Sequence, residues 1–139
     1  QQVAVLCLQR QASLLLHHHL ELLEYVPTAM GVHLPFSIAA TVTKSAIKNK
    51  YLVISAHNAE ELEKAWQWGA DFVTLSPVQQ TLSHPEQMAM GWSNFQTLVQ
   101  QAKLPVYALG GMTHQDIQQA QQLGAQGVAG IRGLFEGSR

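Results

Sequence analysis

The chain has 139 residues, 47% of them hydrophobic, with a formal net charge of -1. That is enough for one domain with a real core, and the charge gives no electrostatic reason to expect nucleic acid or an anionic membrane as partner. Its longest apolar runs are far shorter than the ~18 residues a membrane-spanning segment needs. The single cysteine, Cys7, excludes an intrachain disulfide and suits a reducing, cytoplasmic setting.

In chain order, residues 2–12 read as a helix with Val3, Leu6 and Cys7 on one face. Ser13 to Leu16 is a short apolar run, predicted as a buried strand, and Leu20 to Leu23 is a short helix ended before Pro27. Met30 to Leu34 is a second strand, stopped by Pro35. Residues 37–48 stay ambiguous, because Thr41, Val42 and Thr43 dilute the helical signal. Tyr51 to Ser55 is a third strand. Asn58 and Glu61 then stand as N-cap and N3 of a helix carrying Leu62, Ala65, Trp66 and Gly69 on one face. Phe72 to Leu75 is the fourth strand, followed by a loop to Gly91. Phe95, Leu98, Val99 and Ala102 mark the next helix. Val106 to Leu109 is the fifth strand, Thr113 and Asp116 cap the next helix, and Val128 to Ile131 is the last strand.

Helices ending in Gly-Ala run directly into strands at Gly69-Ala70 and Gly124-Ala125, the joint of a βαβ unit. Every strand is reached by a crossover, so all should be parallel. The strands lack clean alternation, as expected where both faces are covered. The order fits either an open doubly wound sheet or about six of the eight strands of a (β/α)₈ barrel. Both bind ligands at the C-terminal strand ends. There the chain places Ser55 and His57, then Ser76, Thr81, Ser83 and His84, then Gly110 and Gly111, and finally Arg132 and Gly133. Paired glycines let backbone amides approach an anion, and Arg132 adds a cation. The alternative is that Gly110-Gly111 is only a tight turn, and the two readings weigh about evenly. His57 is the acid–base candidate, against the plainer reading of a helix-start histidine. His17-His18-His19 makes a poor metal site, since successive strand residues point to opposite faces. Trp66 and Trp68 read as helix packing. Glu60, Glu61 and Glu63 read as solvated carboxylates with no acid–base pair among them.

From Gly31 to Phe135 the chain resembles the thiamine phosphate synthase/TenI superfamily. The resemblance rests on Gly31-Val32-His33-Leu34, Ser55-Ala56-His57, Ser76-Pro77-Val78 with Thr81 and Ser83, Leu109-Gly110-Gly111-Met112 and Gly127-Val128-Ala129, in that order. Its wording is most similar to the barrel found C-terminal to Nudix hydrolase domains in some bacterial proteins. The resemblance implies an α/β fold of parallel (β/α)₈ barrel type, forming one partial barrel domain over residues 1–139. It implies a thiazole phosphate or thiamine phosphate ligand and TenI-like tautomerase chemistry with His57 as general acid/base. Ser55, Thr81, Ser83 and His84 would bind substrate, and Gly110, Gly111, Arg132 and Gly133 would bind phosphate. A non-catalytic phosphate-binding module attached to a Nudix domain, and a synthase completed by N-terminal sequence, are the alternatives.

The departures from the family pattern are specific. The Gln-x-Arg-x-Lys strand of the diphosphate site has no counterpart, and the first two barrel strands are missing. Since the chain also starts without Met, it is expected to be part of a longer product. Pro35-Phe36-Ser37 replaces Gln-Glu-Asp after Gly-Val-His-Leu, and the His17–His19 region replaces an Asn-Asp pair. His84 stands for a lysine, and Arg132 for a serine. The carboxylates that would hold Mg²⁺ are therefore lacking. No cofactor or metal is expected, Mg²⁺ entering only if synthase activity is retained. Weak or absent condensation is the expectation, and a homodimer would cover the sheet edges left open.

Overall fold

A computed structural model of the chain describes residues 2–81 and 87–135. Its elements run α1 (Gln2–Gln9), β1 (Leu15–His17), α2 (Leu22–Tyr25), β2 (Gly31–Pro35), α3 (Phe36–Ala39), β3 (Tyr51–Ala56) and α4 (Ala59–Gln67). They continue with β4 (Phe72–Leu75), α5 (Gly91–Gln101), β5 (Val106–Leu109), a 3₁₀ turn (His114–Asp116), α6 (Ile117–Gln122) and β6 (Gly127–Ala129). The strands form one six-stranded sheet in the order β1-β2-β3-β4-β5-β6. Every pair is parallel. The sheet curls into a half-barrel, so the barrel reading holds and the doubly wound one does not: strand order never reverses.

Register explains why one face is apolar. Val32 lies beside Leu52, Leu34 beside Ile54, Ile54 beside Val73, and Leu75 beside Ala108. These side chains share the outer face and are buried with Leu62, Ala65, Phe95 and Ala120 from the helices. The inner face carries the other half of each strand: His17, His33, Ser55, Thr74 and Tyr107. It is only partly covered, and Tyr51 is 45% exposed. The blurred alternation reflects two covered faces at the centre of the sheet, where inner Val53 and Thr74 are buried beside outer Ile54 and Val73.

The N-terminal ends of the strands are tied by one carboxylate. Leu52 N donates to Asp71 Oδ2 at 2.7 Å, and Asp71 N returns a bond to Leu52 O at 2.8 Å. Lys44 Nζ pairs with the same carboxylate oxygen and also donates to Lys50 O. Asp71 thus joins β3, the turn into β4 and the segment between α3 and β3. That segment, ambiguous from sequence, is helical only over α3 and otherwise a series of turns.

Several boundaries move. The first strand starts at Leu15 and includes His17, and the last is Gly127–Ala129, with Ile131 80% exposed beyond it. No residue of α1 is buried, so the Val3–Leu6–Cys7 face does not pack into the core. Trp68 does pack, with its ring centroid 5.0 Å from that of Phe36, whereas Trp66 stays outside under Lys103 Nζ, 4.2 Å from its ring centroid. No described helix is long and apolar enough to cross a membrane.

Asp71→Ala leaves the Leu52 amide without its side-chain acceptor. We expect a loss of about 1–3 kcal/mol in urea denaturation. Among the described residues β1 and β6 each have one open side, so light scattering should report a species heavier than the 15.3 kDa monomer.

Candidate functional site

Because all strands run the same way, their C-terminal ends share one rim. There β3, β4, β5 and β6 surround an open cavity of about 470 Å³. Ser55, His57, Thr81, Gly110, Gly111, Arg132 and Gly133 all line it, joined by Ser76, Gln80 and Gln87. Ser83 and His84 lie outside the described residues. A second crevice, of about 100 Å³, lies under the Glu63–Lys103 ion pair and carries no grouping of reactive side chains.

The glycines are there for packing as well as for the cavity. Gly110 and Gly111 have φ of +100° and +70°. A Cβ on Gly110 would meet Pro77 Cα at 2.8 Å, and one on Gly111 would meet Gln79 Cβ at 2.9 Å. The tight-turn reading is therefore correct as far as it goes. It does not displace the other, because the same turn forms a backbone wall of the cavity. Gly133 likewise lies against the loop after β5: a Cβ there would come within 2.3 Å of Met112 O. Val78 N donates to Leu109 O at 2.9 Å and Gln79 N to Gly110 O at 3.1 Å, which stitch the β4 and β5 loops together. Asp116 completes the seam. Its Oδ2 accepts from Thr113 N and Oγ1, both at 2.8 Å, and its Oδ1 accepts from Gln79 Nε2 at 3.0 Å. The Thr113–Asp116 cap read from sequence is present as a reciprocal capping box.

His57 stands at the rim with its side chain 43% exposed. Glu61 Oε2 accepts from both His57 N and His57 Nδ1, each at 2.8 Å. The expectation that Glu61 is merely solvated is corrected. Asn58 Oδ1 caps the helix by accepting from Glu61 N at 2.9 Å, and the N3 carboxylate reaches back to residue 57. An ionised carboxylate only accepts, so Nδ1 carries the hydrogen and Nε2 is the basic atom of the neutral ring. The cap pair was readable; its second role was not, because a capping box alone does not say which neighbour the N3 side chain will touch.

Sequence reasoning passed over His33 and Thr74. His33 Nε2 lies 3.0 Å from Ser55 Oγ and 3.2 Å from Thr74 Oγ1, and Thr74 Oγ1 donates to Ser55 Oγ at 3.4 Å. Burial, then the nearby His17, hold the His33 pKa below the ordinary histidine value. The signal was strand register: period-two alternation puts these side chains on the inner face.

The histidine run behaves differently from the expectation of strict alternation. β1 ends at His17 and His18 takes φ +68°, so the 17–18 and 18–19 ring centroids lie 6.1 and 5.5 Å apart. Among the described residues no three His, Cys, Asp or Glu side chains are placed to hold a metal. Among the described residues no carboxylate lines the cavity, and Glu61 and Asp116 are committed to His57 and to the cap. The described residues therefore do not fit a Mg²⁺ site of the family type.

Fold and cavity together define a partial (β/α) barrel with an open cavity at the C-terminal ends of its strands. The family profile described as "Thiamine monophosphate synthase" matches residues 1–134, and the chain belongs to that family. It is 41% identical over 109 residues to "Putative thiamine-phosphate synthase 2" of Aquifex aeolicus, covering 78% of this chain and 59% of that protein. It is 27% identical over 135 residues to a thiamine-phosphate synthase of Fusobacterium nucleatum, covering 96% of this chain and 65% of the relative. Thiamine phosphate pyrophosphorylase of Pyrococcus furiosus superposes with a TM-score of 0.76 at 22% identity, over 92% of this chain and 61% of that one. The chain thus spans less than two thirds of the length of each.

Gly110→Ala must push against Pro77 backbone from an unfavourable φ. We expect a cost of about 1–3 kcal/mol in thermal unfolding. Because His33 is held below the ordinary value near 6.5, the unfolded chain binds more protons than the folded one below that pH. Stability should therefore fall on acidification from pH 6.5 until the folded-state pKa is passed. His33→Phe should flatten that limb of the stability–pH curve.

Proposed function

We propose that this chain carries the thiazole-phosphate side of the thiamine-phosphate synthase reaction. The observation behind this is the convergence of Ser55, Thr81, Gly110, Gly111, Arg132 and Gly133 on one cavity at the strand ends. The names of the relatives point the same way. The phosphate of the thiazole would rest on the backbone of the loop after β5 and on the Arg132 guanidinium. Ser55 and Thr81 would face the ring. Condensation with a pyrimidine diphosphate further needs a Mg²⁺ site, whose carboxylates would have to come from outside the described residues.

A second reading is favoured by the His57–Glu61 pair. Glu61 holds the ring with Nε2 as its basic atom, as a proton shuttle requires. The same bound thiazole phosphate could then be tautomerised without any diphosphate clamp.

Thermal melting with added thiazole phosphate tests the shared premise. At a hundredfold excess over its Kd, a ligand that binds only the folded state adds about 2.7 kcal/mol. No shift beyond that of inorganic phosphate would overturn both readings. Release of pyrophosphate from both substrates with Mg²⁺ supports the synthase reading. Turnover of the thiazole phosphate alone, lost in His57→Ala with binding retained, supports the tautomerase.

A further inference from the structure

We propose that His33 is a positioning residue: it carries its proton on Nε2 and thereby turns the hydroxyl hydrogen of Ser55 out into the cavity, so that Ser55 donates to the ligand. The inference deepens the binding function proposed above, and its ligand arm rests on that reading.

The argument is a count of hydrogens. Nε2 of His33, Oγ of Ser55 and Oγ1 of Thr74 form a closed triangle with sides of 3.0, 3.2 and 3.4 Å. Each hydroxyl has one hydrogen, and Nε2 has either one hydrogen or one lone pair. Thr74 donates to Ser55. Its hydrogen is then used, so the 3.2 Å contact from His33 to Thr74 is a hydrogen bond only if Nε2 is the donor. A bare Nε2 would take the Ser55 hydrogen and leave the Thr74 contact without one. With Nε2–H, the ring donates between the two oxygens, all three sides are bonded, and the Ser55 hydrogen is left over.

Direction follows from place. Thr74 is buried. Ser55 belongs both to the triangle and to the wall of the cavity. Its spare hydrogen therefore faces the ligand, and with a bare Nε2 the ligand would meet a lone pair instead. A donor at this point selects an oxygen or ring-nitrogen acceptor and discriminates against a group that can only donate, such as a ring or amide N–H. His17, whose ring centroid lies 5.8 Å from that of His33, is the ionisable neighbour on the adjacent strand.

Long-range ¹H–¹⁵N NMR of the imidazoles in the full chain tests the first half without any ligand. We expect a pyrrole-type Nε2 and a pyridine-type Nδ1 for His33 near neutral pH; a pyridine-type Nε2 overturns the proposal. The second half is read by titrating thiazole phosphate into wild type, His33→Phe, Ser55→Ala and the double variant. Each single change should weaken binding about tenfold, and the double variant should bind no worse than Ser55→Ala. A further loss from His33→Phe in the Ser55→Ala background would show that His33 acts otherwise, and overturns the proposal. His33→Asn, which keeps a side-chain N–H, should recover part of the affinity and covers a phenylalanine variant that does not fold. If wild type binds no thiazole phosphate, the functional reading fails, and the NMR tautomer still decides the role of His33.

Discussion

Parallel pairing in strict chain order is the constraint from which the rest of this molecule follows. A strand that must run beside its predecessor in the same direction requires a return path, and each return crosses the same face of the sheet. The outer side chains Val32, Leu34, Leu52, Ile54, Val73 and Leu75 are buried for that reason. The inner ones are left to whatever the curl of the sheet encloses. The same constraint brings every C-terminal strand end to one rim, so residues as far apart as Ser55 and Arg132 line one cavity.

What could be read from sequence follows that logic. Strand segments and their parallel order were legible because buried β-branched runs, helix caps and Gly-Ala joints are local signals. That residues at the strand ends would share one cavity was legible because parallel strands bring their C-terminal ends to one rim. The packing of Trp66 was misjudged, and α1 shows the same limit. An apolar stripe announces that a face can be buried, not that a neighbour exists to bury it, and Val3, Leu6 and Trp66 remain outside. For the histidine run the strand rule was extended past the point where His18 leaves the strand, so alternation is not what sets its geometry.

The two histidines at and beside the cavity show where sequence reasoning stops. His57 sits at a strand end and announces itself by position, yet the orientation of its ring depends on Glu61, whose side chain reaches back past its own cap residue. His33 lies inside a strand, and its sequence neighbours give it no role beyond the Gly31–Leu34 motif. Its partners come from β3 and β4, 22 and 41 residues away in sequence. Only register makes those three neighbours, and register is a property of pairs of strands, not of any one segment.

The seam between the β4 and β5 loops carries a further consequence. Backbone bonds from Val78 and Gln79, the Gln79–Asp116 contact and the close approach of Gly110 to Pro77 tie residues 77–79 to the turn after β5 and so to the strand ladder. A ligand seated against Gly110 and Gly111 meets a wall already in place, and little conformational entropy is lost in arranging it. Affinity on this side of the cavity is then governed by the contacts themselves. A substitution that loosens the seam weakens binding through ordering cost even though it removes no group that touches the ligand.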